Sequence, residues 1–326
     1  MSPEAELLTV LEGSARVLLT GPIDSDGDSL GACLSLQLAL RRRGVAVDVG
    51  GEASYRYRAM PGVGGLIPDA RIQPIYDAVV ILDGDRHRLS PKTDAAFAAA
   101  RVKAIVDHHA STTDDGYAFA WIDPAAASTC EMVFRALEGW GVPLDPELAE
   151  LLYVGLIFDT GGFRYSNTSP ATHEMARALL STGIDHAAIC VRTLMERQQG
   201  GVRVAGHVFS TARFALDGEL ALGWLTKEEI KRFGMVPGDL EGVVDSLVYT
   251  RGVQVAVLLT ERRPGLVKAS LRSRGLVDVA AVAQQLSVHG GGHQKAAGAA
   301  IDGDLDQVSA LVEGAVAAAL RVAREA

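Results

Sequence analysis

Short, nearly unbroken apolar runs alternate with longer stretches of helical periodicity through the first half of the chain. Residues 15–20, 45–49, 78–82 and 103–106 read as strands. Because they are apolar on successive rather than alternate positions, they suit strands buried on both faces. Their separation by helices predicts a parallel sheet covered on both sides. The intervening helices carry recognisable ends. One spans residues 29–42 and is stopped by Gly44. Ser128-Thr129-Cys130-Glu131 has capping-box spacing and opens another. The apolar run 152–158 is the end of a further helix, and Ser169-Pro170 starts one that runs to about Thr182.

Beyond about residue 195 the pattern changes. Residues 214–225 hold Asp217-Gly218 between alternating apolar positions, a hairpin signal, and residues 253–260 and 266–273 flank Arg263-Pro264-Gly265 in the same way. A helix at 279–286, the run Gly290-Gly291-Gly292 and a closing helix at 305–324 complete a smaller α+β unit. The fold expected is therefore α/β: a parallel-sheet domain over 1–188, a helical linker over 189–208, and a smaller α+β domain over 209–326.

Two domains suit a length of 326 residues, and a 22% charged fraction excludes a disordered chain. The net charge of −9 argues against long duplex nucleic acid as a partner, since phosphate neutralisation needs a basic surface. A nucleic-acid substrate is expected to be short and held by a local basic pocket. Cys33, Cys130 and Cys190 are odd in number and far apart, which argues against a disulfide framework or a zinc site and for a reducing cytoplasm. Residues 1–12 carry Glu4, Glu6 and Glu12 and no basic segment, so no signal peptide is expected. No apolar run approaches the roughly 18 residues of a membrane span, so none is expected.

Four acidic clusters stand where apolar runs end: Asp24-Ser25-Asp26-Gly27-Asp28, Asp83-Gly84-Asp85, Asp107-His108-His109 and Asp159-Thr160-Gly161-Gly162. In a parallel sheet the carboxyl ends of the strands share one edge, where ligands bind. Three clusters should converge there and the fourth could join them. Unpaired carboxylates repel one another unless a cation lies between them, and carboxylates with imidazoles suit Mn²⁺. Each Asp-rich turn alone reads equally well as a turn former or helix cap. A calcium loop starting at Asp24 is excluded, because its twelfth position is Ser35 rather than Glu.

These clusters, with Asp26-Gly27-Asp28-Ser29-Leu30-Gly31 as the first, resemble the four motifs of the DHH phosphoesterase superfamily. Ser270-Leu271-Arg272-Ser273 and Gly290-Gly291-Gly292-His293-Gln294-Lys295 resemble marks of the DHH-associated C-terminal domain. The layout is similar to the oligoribonuclease and phosphoadenosine phosphatase group. The resemblance implies hydrolysis of short oligonucleotides or small nucleotides, such as pApA or 3′-phosphoadenosine 5′-phosphate, by a metal-activated hydroxide. It implies two Mn²⁺ ions, with Mg²⁺ or Co²⁺ as substitutes. Asp83 would bridge them, Asp26 would hold one, and Asp28, His108 and Asp159 the other. Asp107 would orient the metal-binding imidazole, and His109 would face the scissile phosphate. Arg272, Ser273, Gly290, Gly291, Gly292 and His293 would grip substrate, and relatives of this layout often form homodimers.

The chain departs from the pattern at Pro22, where the superfamily usually has a histidine four residues before Asp26. Asp24, Asp85 and His87 are candidate replacements. Two other readings follow: a nucleotide-binding sensor with a degraded metal site, and a manganese pyrophosphatase, against which the Gly290–His293 run and Arg272 argue. The stretch 162–168 is polar and aromatic, and reads as a lining for base or ribose or as a packed loop.

Overall fold

The computed structural model describes residues 2–114, 116–236, 239–240, 242–275 and 277–325. They form two compact units, 1–196 and 197–326.

The first unit is built on five strands, β1 (Arg16–Thr20), β2 (Ala46–Gly50), β3 (Ala78–Leu82), β4 (Val102–Asp107) and β5 (Phe119–Ile122). All are parallel, in the order β2-β1-β3-β4-β5. Side chains alternate between the two faces of the sheet. Val17, Leu19, Val80, Leu82 and Val106 pack with the helices Gly27–Arg42, Thr129–Gly139 and Pro146–Asp159. Leu18, Val79, Ile81 and Ile105 pack on the other face with Ile72, Tyr76 and Phe97. This double coverage is the reason the strands read as continuous apolar runs. The chain leaves β1 toward β2 on one side and returns to β3 on the other, which puts the topological switch point between β1 and β3.

The second unit has six strands, β6 (Arg213–Ala215), β7 (Leu220–Leu225), β8 (Val255–Arg263), β9 (Leu266–Ser273), β10 (Gly291–His293) and β11 (Ala296–Asp302), in the order β10-β11-β9-β8-β7-β6. All pairs are antiparallel except β7 with β8. The helices Val279–Leu286 and Leu305–Glu325 cover one face, through Leu220, Val257 and Leu271. The helices Gln199–Thr211 and Val243–Val248 cover the other, through Ala221, Ala256 and Leu258.

Residues 199–208, expected in the linker, belong to a helix whose Val204, Ala205 and Val208 are buried in the second unit. The expected glycine loop at 290–292 ends in an edge strand, β10. Among the described residues no helix is long and apolar enough to cross a membrane.

Candidate metal and phosphate site

The carboxyl edge of the first sheet gathers the acidic clusters at the switch point. Asp26 follows β1 as the N-cap of the helix Gly27–Arg42, and its Oδ1 accepts the N–H groups of Asp28 at 3.0 Å and Ser29 at 3.2 Å. Asp28, two residues further, is fully buried. Its Oδ2 accepts the Thr129 N–H at 2.6 Å and its Oδ1 the Cys130 N–H at 2.9 Å, at the start of the helix Thr129–Gly139. A carboxylate has about four lone-pair sites, so each oxygen keeps one for another partner.

Asp83 directly follows β3 with φ +66°, a left-handed backbone uncommon outside glycine. Sparsely populated conformations of this kind concentrate at functional sites. Its Oδ1 accepts the Thr129 hydroxyl at 3.3 Å and lies 3.5 Å from His108 Nε2 and 3.8 Å from His109 Nδ1. Asp159, at the end of the helix Pro146–Asp159, joins the cluster with Oδ2 2.9 Å from His108 Nε2. The other ring nitrogen of His108 is 3.3 Å from the Ala126 carbonyl, which fixes the ring.

Asp107 pairs with His109 rather than His108: its Oδ1 is 2.7 Å from His109 Nδ1, and its Oδ2 accepts the Thr112 hydroxyl. The orienting carboxylate implied by the resemblance therefore serves the neighbouring imidazole. The reason is local, since the chain turns after β4 and folds the side chain at position 109 back onto 107. Asp28, Asp83 and His108 bring ligand atoms within 4.8 Å of one another, and so do Asp83, Asp107 and His109; Asp83 is common to both groups.

The electrostatics match this crowding. Burial, reinforced by Asp83 and Asp159, pushes the Asp26 carboxyl up to about 8 and holds Asp28 well above the carboxylate range. Burial opposes ionisation of Asp83 too, but His108, His109 and Arg88 outweigh it and hold Asp83 below that range. Burial likewise opposes charge on His108, yet Asp159 and Asp83 push it up to about 12. His109 is raised for the same reason by Asp107 and Asp83. Oxygen and nitrogen donors crowded in this way suit divalent cations.

The candidate replacements for Pro22 do not join the cluster. Asp24 is exposed on its turn and belongs to neither close ligand group among the described residues. Asp85 caps the turn Arg86–Arg88 by accepting the His87 N–H at 2.9 Å, and His87 is exposed. The stretch 162–168 is a packed loop. Phe163 stacks on His173, and the Asn167 amide donates to the Ala127 and Asp159 carbonyls.

In the second unit, His293, Ala296, Arg272 and Ala256 stand directly opposite one another across β10, β11, β9 and β8, so their side chains share one face. Arg272 Nε donates to Asp245 Oδ1 at 3.0 Å and Nη1 donates to the Leu271 carbonyl at 3.1 Å. Ser273, expected beside Arg272, points to the opposite face and is buried, as strand alternation requires. The glycines divide by role. A Cβ on Gly290 would lie 1.9 Å from the Ala283 carbonyl, so that glycine serves packing, and one on Gly292 would lie 2.5 Å from the Ala296 carbonyl. Gly291 alone of the three faces open space, where an anion can approach the backbone closely.

Sequence reasoning missed Thr129, Thr112 and Arg88. The hydroxyls carry no spacing signal, and the arginine lies in a turn that only the fold brings to the cluster.

Residues 16–156 match the N-terminal domain of the DHH family and residues 223–321 match the DHHA1 domain. The bifunctional oligoribonuclease and PAP phosphatase NrnA of Thermus thermophilus is 31% identical over 93% of this chain and 89% of its own. Its namesake in Bacillus subtilis is 26% identical over 69% of this chain and 71% of its own. An exopolyphosphatase-related protein from Bacteroides fragilis, of known crystal structure, superposes with a TM-score of 0.89 at 26% identity, over 99% of this chain and 97% of that one.

Proposed function

We propose, from the premise that the chain belongs to the DHH family and carries its DHHA1 domain, that it hydrolyses phosphate esters of short oligonucleotides and small nucleotides. The observation that carries this reading is the buried group Asp28, Asp83 and His108, whose ligand atoms lie within 4.8 Å of one another at the sheet's switch point, with Asp159 2.9 Å from His108. The names of the Thermus and Bacillus relatives favour short RNA and phosphoadenosine phosphate as substrates. The DHHA1 match favours this reading over pyrophosphate hydrolysis, and the intact acidic cluster favours catalysis over sensing.

Asp26, Asp28, Asp83, His108 and Asp159 would hold divalent metal, which we assign as two Mn²⁺ ions. Bound there, such cations neutralise phosphate charge and lower the pKa of water toward neutrality. Asp107 sets the tautomer of His109 through Nδ1, and we assign His109 to the leaving-group oxygen. Arg272, His293 and the Gly291 backbone supply an anion-binding face, with Asp245 fixing the guanidinium so that Nη2 is left to donate to phosphate. We also assign a cytoplasmic setting, on the three free cysteines, and a homodimer.

The test is turnover by metal-stripped protein given Mn²⁺ and a panel of pApA, an RNA length ladder, phosphoadenosine phosphate, cyclic di-AMP and pyrophosphate. Hydrolysis of the short nucleotides is expected. It should fall to background in Asp83→Ala and His108→Ala with circular dichroism unchanged. Wild-type rates in either variant would sink the metal assignment.

A further inference from the structure

Arg88 closes the short turn that follows Asp83-Gly84-Asp85. Its N–H donates to the Asp85 carbonyl at 3.2 Å, and its carbonyl accepts the Ile23 N–H at 2.8 Å. The main chain of this one residue thus ties the acidic loop after β3 to the acidic loop after β1. Gly84, with φ +150° and no side chain, leaves room above that tie. The Nη1 of Arg88 lies 3.4 Å, and the Cδ of Pro22 3.7 Å, from the point a Cβ on Gly84 would occupy. The guanidinium therefore passes over Gly84 beside Pro22, a buried residue with no ligand atom in its side chain.

The two arginines of the turn differ in what they do. Arg86 is engaged by Asp94 at 2.6 Å. Arg88 is exposed, and its guanidinium makes no hydrogen bond or ion pair with the described residues. Its guanidinium instead lies over Gly84, the residue after Asp83, and so brings positive charge to the edge of the cluster. Asp26 lies in neither of the close ligand groups that share Asp83. An arginine held by its backbone, with its planar donors unspent, suits bidentate binding of phosphate oxygens.

We propose that Arg88 is a further catalytic residue, whose guanidinium contacts the non-bridging oxygens of the phosphate under attack, on the Pro22–Asp26 side of the cluster. This rests on the phosphoesterase reading above. The contact acts by charge where the reacting phosphoryl group gathers it, the kind of term that dominates phosphoryl transfer.

The test compares wild type, Arg88→Met and Arg88→Lys in three measurements: hydrolysis of pApA with Mn²⁺, calorimetric titration of Mn²⁺ without nucleotide, and calorimetric titration of AMP into metal-free protein. The Met variant should lose on the order of a hundredfold in kcat/KM, as loss of one preorganised charge donor typically does. The Lys variant should recover part of that loss. Mn²⁺ should bind the Met variant as tightly as wild type or more tightly, because removing a cation beside carboxylates favours another cation. AMP should bind the Met variant about tenfold more weakly, a loss suited to one charged hydrogen-bond partner. Kinetics within twofold of wild type would overturn the proposal, as would a rate loss matched by a loss of Mn²⁺ binding, which would make Arg88 a brace for the two loops. If wild type cleaves nothing on the panel, the phosphoesterase reading fails, and the AMP titration still decides whether Arg88 binds phosphate.

Discussion

Gly155 lies on the inner face of the helix Pro146–Asp159, where a single methyl group has nowhere to go. A Cβ there would stand 2.3 Å from the Cys130 Sγ and 2.6 Å from Asp28 Oδ1. Overpacking of this kind costs about 1–3 kcal/mol. Here it also pushes the carboxylate that Thr129 and Cys130 hold in the cluster. Gly155→Ala should lower the denaturant midpoint and weaken Mn²⁺ binding together, measured by urea unfolding and metal titration. Gly206→Ala is the control. Gly206 faces open space in the helix Gln199–Thr211, so alanine should stabilise by about 0.5–1 kcal/mol. A neutral result at Gly155 would mean that the helix pair is less closely packed than this geometry requires. At this scale Asp26, Asp83, His108 and Asp159 were legible, because each follows a run whose apolar pattern marks an element end. The pairing of Asp107 with His109 was not, since a choice between adjacent imidazoles depends on turn geometry. Arg88 was invisible for a similar reason: one cation among several in a turn carries no period or spacing.

Among the elements, the helix Lys227–Phe233 is short and leans on its cap. The Thr226 hydroxyl accepts the Glu229 N–H at 3.2 Å, and Glu229 Oε2 accepts the Thr226 N–H at 2.9 Å. His207 Nε2, from the helix Gln199–Thr211, lies 2.9 Å from Glu229 Oε1. Burial raises the Glu229 pKa, but the Thr226 hydrogen bonds and His207 outweigh it and leave the carboxyl below its ordinary 4.5. A depressed folded-state pKa stabilises fully above the unfolded value and fades as pH falls through the folded one. Glu229→Gln keeps an acceptor for the Thr226 N–H but removes the charge, and should therefore cost about 0.3–1 kcal/mol at neutral pH. Tm differences followed downward from pH 7 should shrink below about pH 4.5, the ordinary glutamate value. A gap that stays constant with pH would show that the charge contributes nothing to the cap. The helix Gln199–Thr211 explains one misreading at this scale. Its Gly200 and Gly201 look like linker residues, yet added Cβ atoms would meet the Gly234 carbonyl at 2.8 Å and Asp239 Oδ1 at 2.9 Å. Those glycines are demanded by packing. The strand Phe119–Ile122 went unread because four residues with two large aromatics have no period to detect.

For the whole molecule, charge balance and the two-part layout were legible from the start. The change from continuous apolar runs to hairpin alternation reflects a sheet covered by βα crossovers followed by one built largely of antiparallel pairs. Pairing order was not legible, because short strands of similar composition do not say which neighbours they take. The net charge of −9 leads to the last prediction. Binding of a nucleic-acid strand through its phosphates releases counterions, and for single strands log K falls with log salt by about 0.7 per phosphate neutralised. An acidic chain whose proposed phosphate contacts are Arg88, Arg272, His293 and the Gly291 backbone has few charges to neutralise. If it engages about two phosphates, a plot of log kcat/KM for pApA or trinucleotide RNA against log salt should have a slope near −1.4. Lengthening the RNA should leave that slope unchanged while turnover falls, since a chain with net charge −9 offers added nucleotides few further phosphate contacts. A slope that steepens with each nucleotide, with rates rising alongside, would require an extended basic track and would exclude the short-substrate reading. Measuring the slope at several lengths separates the two cases without knowledge of the natural substrate, because the number of phosphates gripped depends on the protein surface.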